Sequence, residues 1–224
     1  MNKTNNKQQT KKLVGMAMFA ALAYAVTFVF RIPVMFLTFD AKDAIITIAA
    51  LMYGPLAGVA ISLIVALIEA LSISGTGVYG FIMNFASSAT FSFVAALIYK
   101  YKRNATGAII ALYTATVSMA AVMTVLNIFV TPYYMMGPDL GLAEAKASVM
   151  KLIPTLMLPF NFAKALLNSA LAMILYKPIT VAMRRAKLLG GKGGMSVNRS
   201  SVSIYIAAVA TLIFSGVIFI ILKK

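Results

Sequence analysis

The chain has 224 residues, of which 62% are hydrophobic and only 11% charged, against about 25% charged in soluble domains. A soluble domain of this size could not cover so much apolar side chain with polar surface, so the composition points to an all-α polytopic membrane protein. Cysteine and histidine are absent, which excludes disulfides, thiol nucleophiles, histidine-based triads and the common zinc sites; no metal site is expected, and the net charge of +15 reports loop topology rather than nucleic-acid binding.

A spanning helix needs about 20 apolar residues. The first predicted span, 14–30, follows a polar, basic leader, MNKTNNKQQTKK, and no clear cleavage signal follows it. The second apolar run, 44–53, is short for a span and ends at Gly54-Pro55. Pro55 suits the first turn of a third span, 55–71. Further spans are expected at 79–99, 106–130 and 153–176. A seventh, 204–222, stands apart behind the linker LLGGKGGMSVNRSS. The domain reading is a cytoplasmic basic N-terminus at 1–13 and a membrane domain of six helices at 14–185. A basic glycine-rich linker at 186–203 and an additional helix at 204–224 complete it. No internal repeat and no soluble domain is found.

Lysine and arginine set the orientation. With the N-terminus inside, the inner segments hold thirteen basic residues and the outer ones six, while Lys164 falls within a span. The positive-inside rule therefore places the N-terminus in the cytoplasm, the loop 100–105 inside and the loop 131–152 outside.

Ionisable groups within a span are costly and need a reason. Glu69 and Lys164 are the two, joined by the amides Asn84, Asn127, Asn161 and Asn168. In this topology four helices bring polar groups to the outer half of the membrane. Asn161, Lys164 and Asn168 share one helix face. Pro154 and Pro159 precede them, so the sixth helix is expected to be kinked or partly open there. The outer loop TPYYMMGPDLGLAEAKAS offers Tyr133 and Tyr134 as a cover for an aromatic ligand. Taken singly, each residue has a plainer reading. An asparagine can bridge two helices, Glu69 can be solvated near the interface, and the tyrosines can form an aromatic belt. Lys164, too deep for easy snorkelling, resists that treatment.

Ala17, Ala21 and Ala25 recur at four-residue spacing in the first helix, a stripe that permits close approach of another helix or tight packing within the bundle. Gly190-Gly191-Lys192 lacks the spacing of a phosphate-binding loop, and no nucleotide-binding motif occurs, so the chain is not expected to hydrolyse ATP.

Three segments, TIAALMYGPLAGVAISL, GTGVYGFIMNFASSATFSFVAALIYKYKRN and IPTLMLPFNFAKALLNSAL, resemble the riboflavin-specific S component of energy-coupling factor (ECF) transporters. The resemblance covers roughly 13–185. Its most specific parts are Phe81-Ile-Met-Asn84-Phe and Pro159-Phe-Asn161-Phe-Ala-Lys164. It implies a six-helix bundle in a bacterial cell membrane that binds a vitamin from outside. A membrane scaffold and two cytoplasmic ATPases would power its release. By resemblance the flavin contacts fall on Asn127, Asn161 and Lys164, and the scaffold-docking motif on Ala17 and Ala21. Asn84, Tyr79, Phe39, Asp40 and Tyr133 complete the candidate substrate-binding set, with 38–44 and 131–140 as a lid. The seventh helix departs from the six-helix pattern.

Riboflavin suits such a pocket chemically. Its ring has apolar faces and a donor–acceptor edge, and its ribityl tail carries hydroxyls. Riboflavin is neutral, so Lys164 would donate hydrogen bonds rather than act as counter-ion. It would be cargo, with no cofactor required. Asn168, one turn further inward, is expected to matter less. Alternatives are an S component for another vitamin, an intramembrane enzyme limited to Glu69, Asp40 or Lys164 for its chemistry, and a secondary transporter.

Overall fold

The computed structural model describes residues 3–73, 75, 77–136, 141–189 and 200–223. Helix α1 (Lys3–Val29) leads into a hairpin of β1 (Arg31–Val34) and β2 (Leu37–Asp40), paired antiparallel with Arg31 opposite Asp40 and Val34 opposite Leu37. Met35 takes a left-handed conformation, φ 52°, at the hairpin turn. The segment 31–43, read from sequence only as an outer loop, is thus a hairpin folded onto the bundle.

Helix α2 (Lys42–Tyr53) is the short one. Nine of its twelve residues, Lys42 to Ala50, are buried. At 1.5 Å per residue it is about 18 Å long, well short of a hydrocarbon layer of about 30 Å. It therefore cannot span the layer by itself and begins inside the bundle. Gly54, at φ 103°, reverses the chain, and Pro55 opens α3 (Pro55–Ser72) with its fixed φ. Helix α4 (Gly77–Tyr101) follows, then α5 (Ala105–Met135), whose N-cap Asn104 accepts a hydrogen bond from Gly107 N at 2.7 Å.

Helix α5 runs five residues beyond the expected end at 130, so Tyr133 and Tyr134 lie on a helix and not in a loop. Most of the remaining outer loop is helix too, α6 (Leu142–Leu152); its tip, 137–140, lies outside the described residues. The irregularity expected at Pro154 and Pro159 takes the form of a π-helical turn, Ile153–Met157, that joins α6 to α7 (Leu158–Arg185) without a break. The last helix, α8 (Ser200–Lys223), runs back along α7 and touches α5. Residues 190–199 of the expected linker, Gly190-Gly191-Lys192 among them, lie outside the described residues.

Six helical segments, 8–29, 55–72, 77–101, 105–135, 142–185 and 202–222, are long and apolar enough to cross a membrane. Their faces away from the core are apolar as well, as lipid contact requires. The central core joins Phe19, Ala23, Ile45, Ile48, Ile61, Phe91, Leu112 and Met119 around α2. A second cluster, Val34, Phe39, Leu156, Phe160 and Ala163, ties the hairpin to the start of α7.

Candidate functional site

The up-and-down winding brings the ends of α1, α3 and α5 together with the starts of α2, α4 and α7. Between them lies a cavity of about 170 Å³, closed on one side by the hairpin. Asn84 and Tyr79 of α4, Asn127 of α5, Asn161 and Lys164 of α7 and Asp40 of β2 all line it. Two other members of the expected set are not among its lining residues. Phe39 turns the opposite way from its neighbour Asp40, as alternation along a strand demands, and packs edge-on against Phe160 with ring centroids 5.7 Å apart. Tyr133 is half-exposed on the outside of α5, while Tyr134 lines the cavity and meets Phe36 of the hairpin at 6.3 Å. Ala17 and Ala21 are exposed on α1, away from the cavity; the buried face of that helix is carried by Phe19, Ala20, Ala23 and Thr27.

A chain of buried charges forms the floor. Glu69, 2% exposed, takes a hydrogen bond from Lys42 Nζ at 2.5 Å and another from Thr27 Oγ1 at 3.2 Å. Lys42 also lies 3.8 Å from Asp40. Lys164, 5% exposed, donates to Asp40 Oδ2 at 2.8 Å and stands 3.9 Å from Asp43. Asp43 in turn accepts a short hydrogen bond from Ser88 of α4. Five ionisable side chains so link α2, α3, α4, α7 and the hairpin. At membrane depth such groups persist only when paired, and each supplies the partner the next requires.

The sequence places Lys42 and Asp43 only within the expected lid 38–44, beside the apolar run 44–53, whereas in the structure they are buried in the first turn of α2. The available signal was the shortness of that run: a helix of about 18 Å that reaches the far turn at Gly54 must begin inside the bundle. Glu69, for which a solvated position near the interface was open, is buried and paired. Asn168, one turn further inward and expected to matter less for binding, is fully buried and holds the hairpin end in place. Its Oδ1 accepts from Ala44 N at 2.8 Å, and its Nδ2 donates to the carbonyls of Asp40 and Lys164, both at 3.0 Å.

The amides facing the cavity have fixed orientations. Thr131 Oγ1 donates to Asn127 Oδ1 at 2.8 Å, which leaves Asn127 Nδ2 as a buried donor with no protein partner. Asn161 Nδ2 donates to Met157 O at 2.8 Å, in the π-helical turn, so its Oδ1 is the atom left to a ligand. Asp40 Oδ1 and Ser87 Oγ are likewise buried without a partner, and both residues line the cavity. Buried polar atoms are rarely left unpaired, and the three on residues that line this cavity are available to a polar molecule held there.

A helical bundle of membrane-spanning length with a polar-lined pocket at one end is the architecture of a substrate-binding transport subunit. The family model for the substrate-specific component of ECF transporters matches residues 11–176, and the chain belongs to that family. The riboflavin transporter RibU of Staphylococcus aureus (strain TCH60) is 34% identical over 184 residues, covering 80% of this chain and 96% of its own. The riboflavin transporter FmnP of Bacillus subtilis (strain 168) is 29% identical over 178 residues, covering 75% and 91%. The solved S component of a bacterial ECF transporter superposes with a TM-score of 0.64 at 31% identity, covering 79% of this chain and 99% of that one. The chain is thus a multi-pass membrane protein and the substrate-binding part of a transporter, not an enzyme.

Proposed function

We propose that this chain captures riboflavin, and that Asn127, Asn161 and Lys164 hold the polar edge of its ring. The observation that carries the reading is the donor and acceptor pattern in the cavity. Asn127 Nδ2 offers a donor, Asn161 Oδ1 an acceptor, and Lys164 Nζ further donors beyond the one given to Asp40. The pyrimidine edge of a flavin presents carbonyl, N–H and carbonyl, which is the complementary set. Tyr79, Met83, Met123, Phe160 and Tyr134 supply apolar and aromatic lining for the ring, and Asp40, Asn84 and Ser87 polar groups for the ribityl hydroxyls. Phe39 backs the wall that Phe160 forms. The two relatives that are named riboflavin transporters support the same reading.

In this reading the N-terminus and the loop 100–105 are cytoplasmic, the pocket faces outward, and the vitamin is cargo rather than cofactor. Residues 14–185 form the binding domain, with 1–13 and 186–203 as basic flanks. A membrane scaffold and two cytoplasmic ATPases energise release, because no phosphate-cradling loop occurs in this sequence. Ala17 and Ala21, exposed and small, form the scaffold contact. The test is a titration of the purified protein with riboflavin, followed by quenching of flavin fluorescence. Saturable quenching by riboflavin is expected; saturation by a different vitamin, with none by riboflavin, would overturn the assignment.

A further inference from the structure

Helix α8 begins beyond residue 176, where the family match ends, so the shared fold assigns it nothing. Its buried face is a stripe of Ile204, Ala208, Thr211 and Ser215, spaced four, three and four residues apart as a packed helix requires. The stripe does more than pack. Tyr113 Oη and Thr211 Oγ1 are hydrogen-bonded at 2.5 Å, which fixes α8 on α5. Ser215 Oγ donates at 2.8 Å to the carbonyl of Ala163, the residue before Lys164. One turn on, the Phe219 ring lies 5.2 Å from that of Phe39, the residue before Asp40. Ile218, Phe219 and Leu222 together back the cluster of Val34, Phe39, Leu156, Phe160 and Ala163.

The end of α8 therefore presses, from behind, on the two backbone sites whose next residues meet as the Lys164–Asp40 pair at 2.8 Å. A two-stranded hairpin has little stability of its own and depends on what packs against it. We propose that α8 is a positioning element of the binding site: Phe219 and Ser215 hold the hairpin against α7 and so keep the cavity closed around its ligand. The inference rests on the riboflavin reading only for the identity of that ligand.

Two measurements on the full chain test it. A cysteine introduced at Thr38, a residue of β2 that lines the cavity, is the sole thiol in the protein and reports hairpin opening without any ligand. With Phe219→Ala, labelling by a soluble thiol reagent should speed up several-fold, and riboflavin release should accelerate about tenfold with little change in association. Ser215→Ala should give about a threefold faster release. Phe219→Tyr, which keeps the ring, should restore both, and Ile213→Ala, on the exposed face of α8, should alter neither. A Phe219→Ala protein that labels at the parent rate overturns the proposal, as does equal acceleration by Ile213→Ala. If no parent protein binds riboflavin while labelling still responds to Phe219→Ala, the ligand assignment fails and the role of α8 stands.

Discussion

All five buried acidic and basic side chains among the described residues, Asp40, Lys42, Asp43, Glu69 and Lys164, lie at the pocket end of the bundle. At the other end Tyr99, Ala108 and Ala111 pack with Leu51 and Ile98, and the Tyr99 and Tyr176 rings meet at 6.4 Å. The same short helix, α2, serves both: its first turn carries Lys42 and Asp43, its last turn Leu51. Small and apolar residues let the helices at one end approach closely, whereas the charge chain at the other end holds them around a space. Desolvated ion pairs seldom add net stability, so the pocket end is where binding geometry is maintained at some cost to the fold.

The largest effect that this contrast predicts follows from removing Lys164. Lys164→Met leaves Asp43 buried without an ion-pair partner and Asp40 with only Lys42 at 3.8 Å, and removing one partner of a buried pair costs about 3–5 kcal/mol of stability. Riboflavin affinity should fall by more than the roughly five- to 150-fold of one lost hydrogen bond. Thermal unfolding in detergent and a binding titration measure the two separately. Adding Asp40→Asn should recover much of the stability and none of the affinity. A double variant that binds like the parent would show that the ring edge is held elsewhere.

Asn168 gives the next largest effect and shows where the sequence stopped being informative. The spans, the irregular stretch after Pro154 and the convergence of Asn84, Asn127, Asn161 and Lys164 were legible, because helical spacing and the cost of polar groups in lipid act locally along the chain. The hairpin was not, since nothing in 31–40 fixes how a loop folds back over a bundle. With the hairpin unseen, the partners of Asp40, Lys42 and Asn168 could not be found. Tyr133 and Tyr134 could not be told apart either, because that required knowing that α5 continues to Met135. Asn168→Ala removes two hydrogen bonds to the Asp40–Ala44 segment and should cost about 2 kcal/mol, with affinity falling tens-fold through a displaced Asp40. Parent-like affinity would separate the hairpin from the site.

Asn127→Ala sharpens the contrast from the other side. Its Nδ2 bonds to nothing in the protein, so affinity should drop about 1–3 kcal/mol, roughly five- to 150-fold, with little change in the unfolding temperature. A purely structural asparagine would give the reverse pattern.

At the far end the expectation inverts. A Cβ at Gly107 would stand 1.9 Å from the carbonyl oxygen of Lys102, a distance at which the turn before α5 must deform. Gly107→Ala should lower the unfolding temperature and leave riboflavin affinity within twofold, roughly, of the parent, since distant, unshared sites act nearly independently. A large loss of affinity would mean that the two ends are coupled through α5.

The smallest effect on binding belongs to α1. Ala17 and Ala21 are exposed and do not line the cavity, so replacing both with leucine should leave affinity and stability unchanged. Uptake by the complete transporter should nevertheless fall, because leucine keeps a partner helix from the close approach that alanine allows. The measurement needs both halves: titration of the isolated chain, then uptake into vesicles that hold the scaffold and the ATPases. Impaired uptake with intact binding places the partner surface on this face of α1. Unchanged uptake removes it, and the exposed alanines are then simply a surface for lipid.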